Sequence, residues 1–219
     1  GYTVLESVAN GHAGLEFRAS DLPRIVEDDD TPQWHDGYGR LRVSTLAGWP
    51  EVAAWAKPLY PARLTDRALA ARLADRLRLD PADPLGSLER ATAFVQGEVR
   101  YTAIDMGAYS HAPSPPETTL ERRFGDCKDK SSLLVALLAE AGIEAEPVLV
   151  NTWARGAVAD RLPSPLAFDH VVVRAQAAGE EFWIDATRGR ERAPLADREP
   201  LPFRYGLPVY AGGGLVEIP

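Results

Sequence analysis

Hydrophobic positions change period twice along the chain. In residues 1–47, Val, Thr, Leu and aromatic residues are broken by Asn10-Gly11, Asp36-Gly37 and the acidic run Glu27 to Asp30, a pattern of short strands joined by turns. Arg40 to Thr45 (RLRVST) is the clearest strand among them, and His12 and His35 fall at surface or turn positions. So few strands make little sheet of their own, so they are expected to complete a larger sandwich or to lean on the main domain. From Trp49 the pattern turns helical. One helix starts with Pro50 at N1 and ends at Pro58, and a second opens at Thr65 with leucines at helical spacing. A third, capped by Asp83, sets Leu85, Leu88, Ala91, Val95 and Val99 on one face.

The stretch from Tyr101 to Glu117 is too rich in Gly, Ser and Pro for a regular element. It reads as a long loop, with His111 a solvent-exposed member, and a short helix follows it before the turn at Arg123 to Asp126. The longest apolar run comes next. Leu133 to Ala141 are good helix formers ahead of Gly142, which predicts a helix from Cys127 to Ala141. Asp126 suits its N-cap, and Asp129 three residues on completes a capping-box-like pair. Because this helix is apolar over most of its surface, it is expected to be central and buried.

Beyond Gly142 strands return: Glu144 to Thr152, then a polar loop from Arg155 to Ala167, then two strands around Ala177 to Glu180. Possible last strands lie at Gly206 to Tyr210 and Leu215 to Ile218. The order is that of an α+β domain, with helices first and an antiparallel sheet after them.

Composition narrows the function classes. The 219 residues are 45% hydrophobic with a formal net charge of -8, and no basic patch suited to nucleic acid or an anionic membrane surface is evident. No stretch has the length and apolarity of a transmembrane helix. The one cysteine, Cys127, excludes an internal disulfide and leaves the redox compartment open.

Cys127 is therefore read for its chemistry. At N1 of the central helix it meets unpaired backbone N–H groups and the positive end of the helix dipole, which favour thiolate over thiol, with Lys128 and Lys130 adding positive charge. The plainer reading is a buried core thiol, but that would lie among the leucines of 133–138 rather than among Gly125, Asp126, Lys128 and Asp129, read here as solvent-facing or site residues. His170 begins one strand of the last hairpin and Asp185 ends the other. Centred between Ala177 and Ala178, the hairpin sets them directly opposite one another, with Val172 and Trp183 as the next apolar pair on that face. A bulge at Gly179 would shift the register by one residue. Alone, the pair could be a structural ion pair. Beside a helix-start cysteine it supplies a base and the carboxylate that orients it.

Arg123 to Thr152 (RFGDCKDKSSLLVALLAEAGIEAEPVLVNT), with FDHVVV at Phe168 and FWIDAT at Phe182, resembles the bacterial members of the transglutaminase-like superfamily, related in fold to papain. The likeness covers Trp49 to Thr187. The most similar subgroup carries an N-terminal β-sandwich of unknown function before its core. The resemblance implies a domain over 48–219 with a central helix packed on an antiparallel sheet, and the end of such a sandwich over 1–47. It also implies Cys127 as nucleophile, His170 as general base and Asp185 as orienter, no cofactor or metal, a protein or peptide substrate, and commonly export.

The implied reaction is acyl transfer on a peptide or carboxamide bond through a thioester. Hydrolysis is slightly favoured over amine crosslinking, because the acidic run at Glu27 to Asp30 lacks EF-hand spacing and no other calcium site is announced. The Cys127 N–H is one oxyanion donor candidate; Gln96 and residues of the Tyr101 to His111 loop are candidates for the other. The alternative is an inactive module that keeps the fold to bind or scaffold a peptide. A metal site on the same three residues would need a fourth ligand or a water.

Overall fold

The computed structural model describes all residues except 1, 10, 11, 26–29, 33, 34, 36–40, 104–109, 190 and 192. The chain forms two compact units, residues 1–41 and 42–219. The first holds an antiparallel hairpin of β1 (Tyr2–Ala9) and β2 (His12–Ala19), paired from Tyr2↔Ala19 to Ala9↔His12. The Asn10-Gly11 turn expected there, like that at Asp36-Gly37, lies outside the described residues, while His35 is exposed as expected. Leu41 to Thr45 form no strand, which corrects the reading of Arg40 to Thr45; Arg40 itself is not among the described residues. The Ser44 hydroxyl donates to the Pro163 carbonyl at 2.5 Å and accepts from the Leu46 N–H at 3.1 Å, so this segment bonds to a loop and to its own side chain. High strand propensity makes a strand only where a partner edge exists.

In the second unit, α1 (Trp49–Ala56) has Gly48 at its N-cap, which puts Pro50 one place deeper than expected. The next helix, α2 (Arg67–Leu77), is capped by Asp66 rather than opened by Thr65, because the Asp66 carboxylate accepts the Leu69 N–H at 2.9 Å. Asp83 caps α3 (Pro84–Glu98) as expected. On its inner face Leu88, Ala91, Val95 and, just past the end, Val99 are buried, but Leu85 is 43% exposed. The first turn of α3 thus projects beyond the core.

A short parallel ladder joins β3 (Arg100–Tyr101) to β4 (Phe124–Gly125), with α4 (Pro116–Arg122) between them. The central helix α5 (Cys127–Glu140) follows, and Gly142 at φ +69° lies just past its C-cap, Ala141. Every residue from Lys128 to Leu138 is buried. Each of its leucines contributes about 1.5–3 kcal/mol by burial.

The sheet is antiparallel throughout, in the order β7 (Glu180–Ile184), β6 (His170–Ala177), β5 (Glu144–Val150), β8 (Tyr205–Pro208), β9 (Val216–Glu217). Alternation along β6 sends Val173, Ala175 and Ala177 into the core shared with α2, α3 and α5, whereas Val172 joins Leu201 and Phe203. The fold is therefore α+β, with a central helix packed on an antiparallel sheet, and it brings the start of α5 to the start of β6. Among the described residues no helix is long and apolar enough to cross a membrane.

Candidate active site

Cys127 is placed by a complete capping box. The Asp126 carboxylate accepts the N–H groups of Lys128 and Asp129, at 3.1 and 3.2 Å, and the Asp129 carboxylate accepts the Asp126 N–H at 3.2 Å. The Lys130 N–H goes to the Asp126 carbonyl. In this first turn the Cys127 N–H is left without a hydrogen-bond partner among the described residues, directly beside its own Sγ.

Of the two expectations for the polar residues around Cys127, solvent-facing or site residues, their burial removes the first. Asp126, Lys128, Asp129 and Lys130 are each less than 5% exposed. Asp129 also accepts from the Ser114 N–H at 2.6 Å and from Arg122 at 2.5 Å, and the Lys128 ammonium pairs with Asp126. Buried charges persist when paired and hydrogen-bonded, and here their pairing fixes the helix start. Gly125 allows the close approach, because a Cβ there would lie 2.6 Å from Asp129 Cβ.

The hairpin that carries the other two residues turns between Ala178 and Gly179, not between Ala177 and Ala178. Both turn residues have positive φ, +52° and +82°, as a type I′ turn demands, and Gly at its second place is what favours this centre. Trp183 consequently faces Arg174, whose guanidinium lies 5.9 Å from the indole centroid, rather than Val172. His170 and Asp185 are not directly opposed. Asp185 follows the end of β7, and continuing the register would place it across from Val172, on the same strand face as His170.

The two side chains still meet: His170 Nε2 lies 3.0 Å from Asp185 Oδ2. The other carboxylate oxygen accepts the Thr187 N–H at 2.9 Å and the Thr187 hydroxyl at 2.6 Å. Phe203 packs 5.8 Å from the imidazole, centroid to centroid. Burial alone would lower the pKa of His170, but hydrogen bonds to Asp185 and Cys127, and the charges of both, outweigh it and raise the pKa to about 10. Burial likewise pushes the Asp185 carboxyl up, while His170 and Thr187 pull it below its ordinary value with the larger combined effect. At neutral pH the pair is therefore imidazolium and carboxylate, with Nδ1 left for the thiol.

Cys127 and His170 line one cleft of about 190 Å³, with Tyr60, Trp55, Phe168 and His111 among its walls. His111 is not a solvent-exposed loop residue: it is half-buried and stands edge-on to Trp55 at 5.3 Å. Ser110 lines the cleft as well, so the loop before the helix contributes to the wall; its residues 104–109 are not among those described. Gln96 is not an oxyanion donor here. Its amide nitrogen donates to the Asp185 carbonyl at 2.9 Å, which holds the end of β7 instead.

Thr187 was missed from sequence, although an Asp accepting from the residue two places on is a local turn signal in FWIDAT. Tyr60 and Trp55 have no local signal, because only long-range packing brings them to Cys127. Among the described residues no group of three or more His, Cys, Asp or Glu side chains is placed to hold a metal ion.

The family model of the transglutaminase-like superfamily matches residues 71–188. A search of curated proteins finds no match. In fold the chain is similar to the crystal structure of a "putative protease" from Parabacteroides distasonis, with TM-score 0.66 and 16% identity over 99% of this chain and 40% of that one. A "putative cysteine protease" from Cytophaga hutchinsonii aligns at TM-score 0.39 and 19% identity, over 73% of this chain and 44% of that one. The chain thus spans less than half the length of either.

Proposed function

We propose, since the chain belongs to the transglutaminase-like superfamily, that it is a thiol enzyme transferring acyl groups from peptide or carboxamide bonds through a thioester on Cys127. The observation that carries this reading is the 3.0 Å contact of Asp185 with His170, which lines the same cleft as Cys127. The Cys127 thiolate attacks the carbonyl carbon, and the oxygen that gains charge accepts from the Cys127 N–H. His170 gives its proton to the leaving amine and then takes one from the incoming nucleophile, while Asp185 keeps its ring oriented.

Hydrolysis is favoured over crosslinking to an amine. Cys127 is only half-buried and the cleft is bordered by exposed Trp55 and Asp169, so water reaches the thioester. The substrate class is a protein or peptide.

The test is the pH dependence of Cys127 alkylation by iodoacetamide in wild type and His170→Ala. Fast labelling at neutral pH that is lost without His170 supports the reading. Slow labelling that ignores His170 removes it and leaves a peptide-binding module.

A further inference from the structure

We infer that Tyr60 supplies the second hydrogen bond of the oxyanion site, through its phenolic hydroxyl, during acyl transfer to Cys127; this rests on the reading above. Tyr60 is 5% exposed, packs in the cluster that includes Cys127, and lines the cleft with Cys127 and His170. Among the described residues its hydroxyl has no hydrogen-bond partner and is not sealed from solvent, so it is open to the cleft that Tyr60 lines. A donor kept without a protein acceptor at the wall of a thiol cleft is suited to an acceptor that arrives with the substrate.

The surrounding bonds fix where the ring stands. The Tyr60 carbonyl accepts from the Tyr210 hydroxyl at 3.2 Å, its N–H reaches the Lys57 carbonyl at 3.4 Å, and the next carbonyl, Pro61, accepts from Ser132 of α5 at 3.4 Å. The segment is thus braced against both the central helix and the C-terminal part of the chain, which is the preorganisation an oxyanion donor needs. Burial first, and then the charge of Cys127, push the Tyr60 hydroxyl above its ordinary range, so it stays protonated wherever the thiolate is formed. The Cys127 N–H is the first donor.

In the attack step the Cys127 Sγ–C bond forms and the carbonyl π pair moves onto oxygen, which accepts from the Cys127 N–H and the Tyr60 O–H. Tyr60 keeps its proton throughout. On collapse that pair rebuilds C=O, the bond to the leaving group breaks, and an amine leaves with the proton of His170.

Two probes separate this role from packing. Acylation by p-nitrophenyl acetate passes through an oxyanion, whereas alkylation by iodoacetamide displaces iodide at a saturated carbon and forms none. With Cys127→Ala as the blank, Tyr60→Phe is expected to slow acylation at least about tenfold, toward the about 10²–10³-fold typical of a lost oxyanion donor, with alkylation at its wild-type rate. Unchanged acylation overturns the inference. So does equal slowing with both probes, which would make Tyr60 a packing residue. His170→Ala distinguishes the parent reading, because it slows both probes if the thiol site works. A wild type that acylates no faster than the blank overturns both.

Discussion

The imidazole of His170 meets the carboxylate of Asp185 diagonally across the hairpin, at 3.0 Å, not directly across it. Asp185 reaches back because it has left the ladder, where Thr187 holds one of its oxygens and Gln96 holds its carbonyl. That geometry makes the hydrogen bond with Asp185, reinforced by one with Cys127 and by the Asp185 charge, the main support of the imidazolium. Asp185→Asn is expected to drop the pKa of His170 well below about 10 and to slow Cys127 alkylation near neutral pH. An NMR titration of the imidazole beside alkylation rates checks this; an unmoved titration curve would refute it.

The same pair ties stability to pH. The folded pKa of His170 is raised from 6.5 to about 10, so its contribution is complete below 6.5 and is lost as pH rises through about 10. Asp185 is depressed from 3.8, so its contribution is present above that value and is lost as pH falls below it. The stability difference between wild type and His170→Gln should therefore be larger at pH 6 than at pH 10, measured by urea unfolding. A difference that grows toward pH 10 contradicts the assignment.

Asp126 serves two N–H groups and the buried Lys128 ammonium. Asp126→Ala loses a cap worth about 0.5–2 kcal/mol and strands a buried charge whose loss of a partner costs about 3–5 kcal/mol. Destabilisation of several kcal/mol by chemical denaturation is expected, and Asp126→Asn, which keeps the cap acceptor, should lose less. Equal losses would mean the cap contributes nothing beyond the ion pair.

At the hairpin turn Ala178 holds φ +52°, a conformation costly to residues with a Cβ. Ala178→Gly should be neutral or stabilising by up to about 1 kcal/mol, and Gly179→Ala destabilising by about 1 kcal/mol. If thermal unfolding reverses that order, the turn is not type I′.

Gln96 joins α3 to the end of β7, so Gln96→Leu removes one of the two donors to the Asp185 carbonyl, which keeps the Arg188 N–H at 3.2 Å, a loss of about 0.5–1.5 kcal/mol. Gln96→Glu replaces the donor by an acceptor and should be no better. Urea unfolding of both variants checks the pair, and wild-type stability in either would dismiss the brace.

Much of the site was legible because its signals are local. A capping residue, a run of leucines and a closing glycine lie within one helix, so α5 and the placing of Cys127 at its start follow from neighbours in sequence. The pairing of His170 with Asp185 was half legible. Strand periodicity puts both on one face, but the offset depends on a turn centre one residue away from the one the pattern suggested. Leu41 to Thr45 show the opposite case, since strand-forming residues there form no strand.

By itself the sequence determined the elements that short-range forces make, the capped central helix and the strands by alternation, and it singled out the three residues on which the proposed acyl transfer rests. The tertiary structure decided which polar groups are buried, how far Asp185 reaches, where Gln96 and His111 point, and that Tyr60 stands beside Cys127. Those outcomes depend on contacts between residues tens of positions apart, whose energies come from packing and desolvation and leave no periodic trace in the chain.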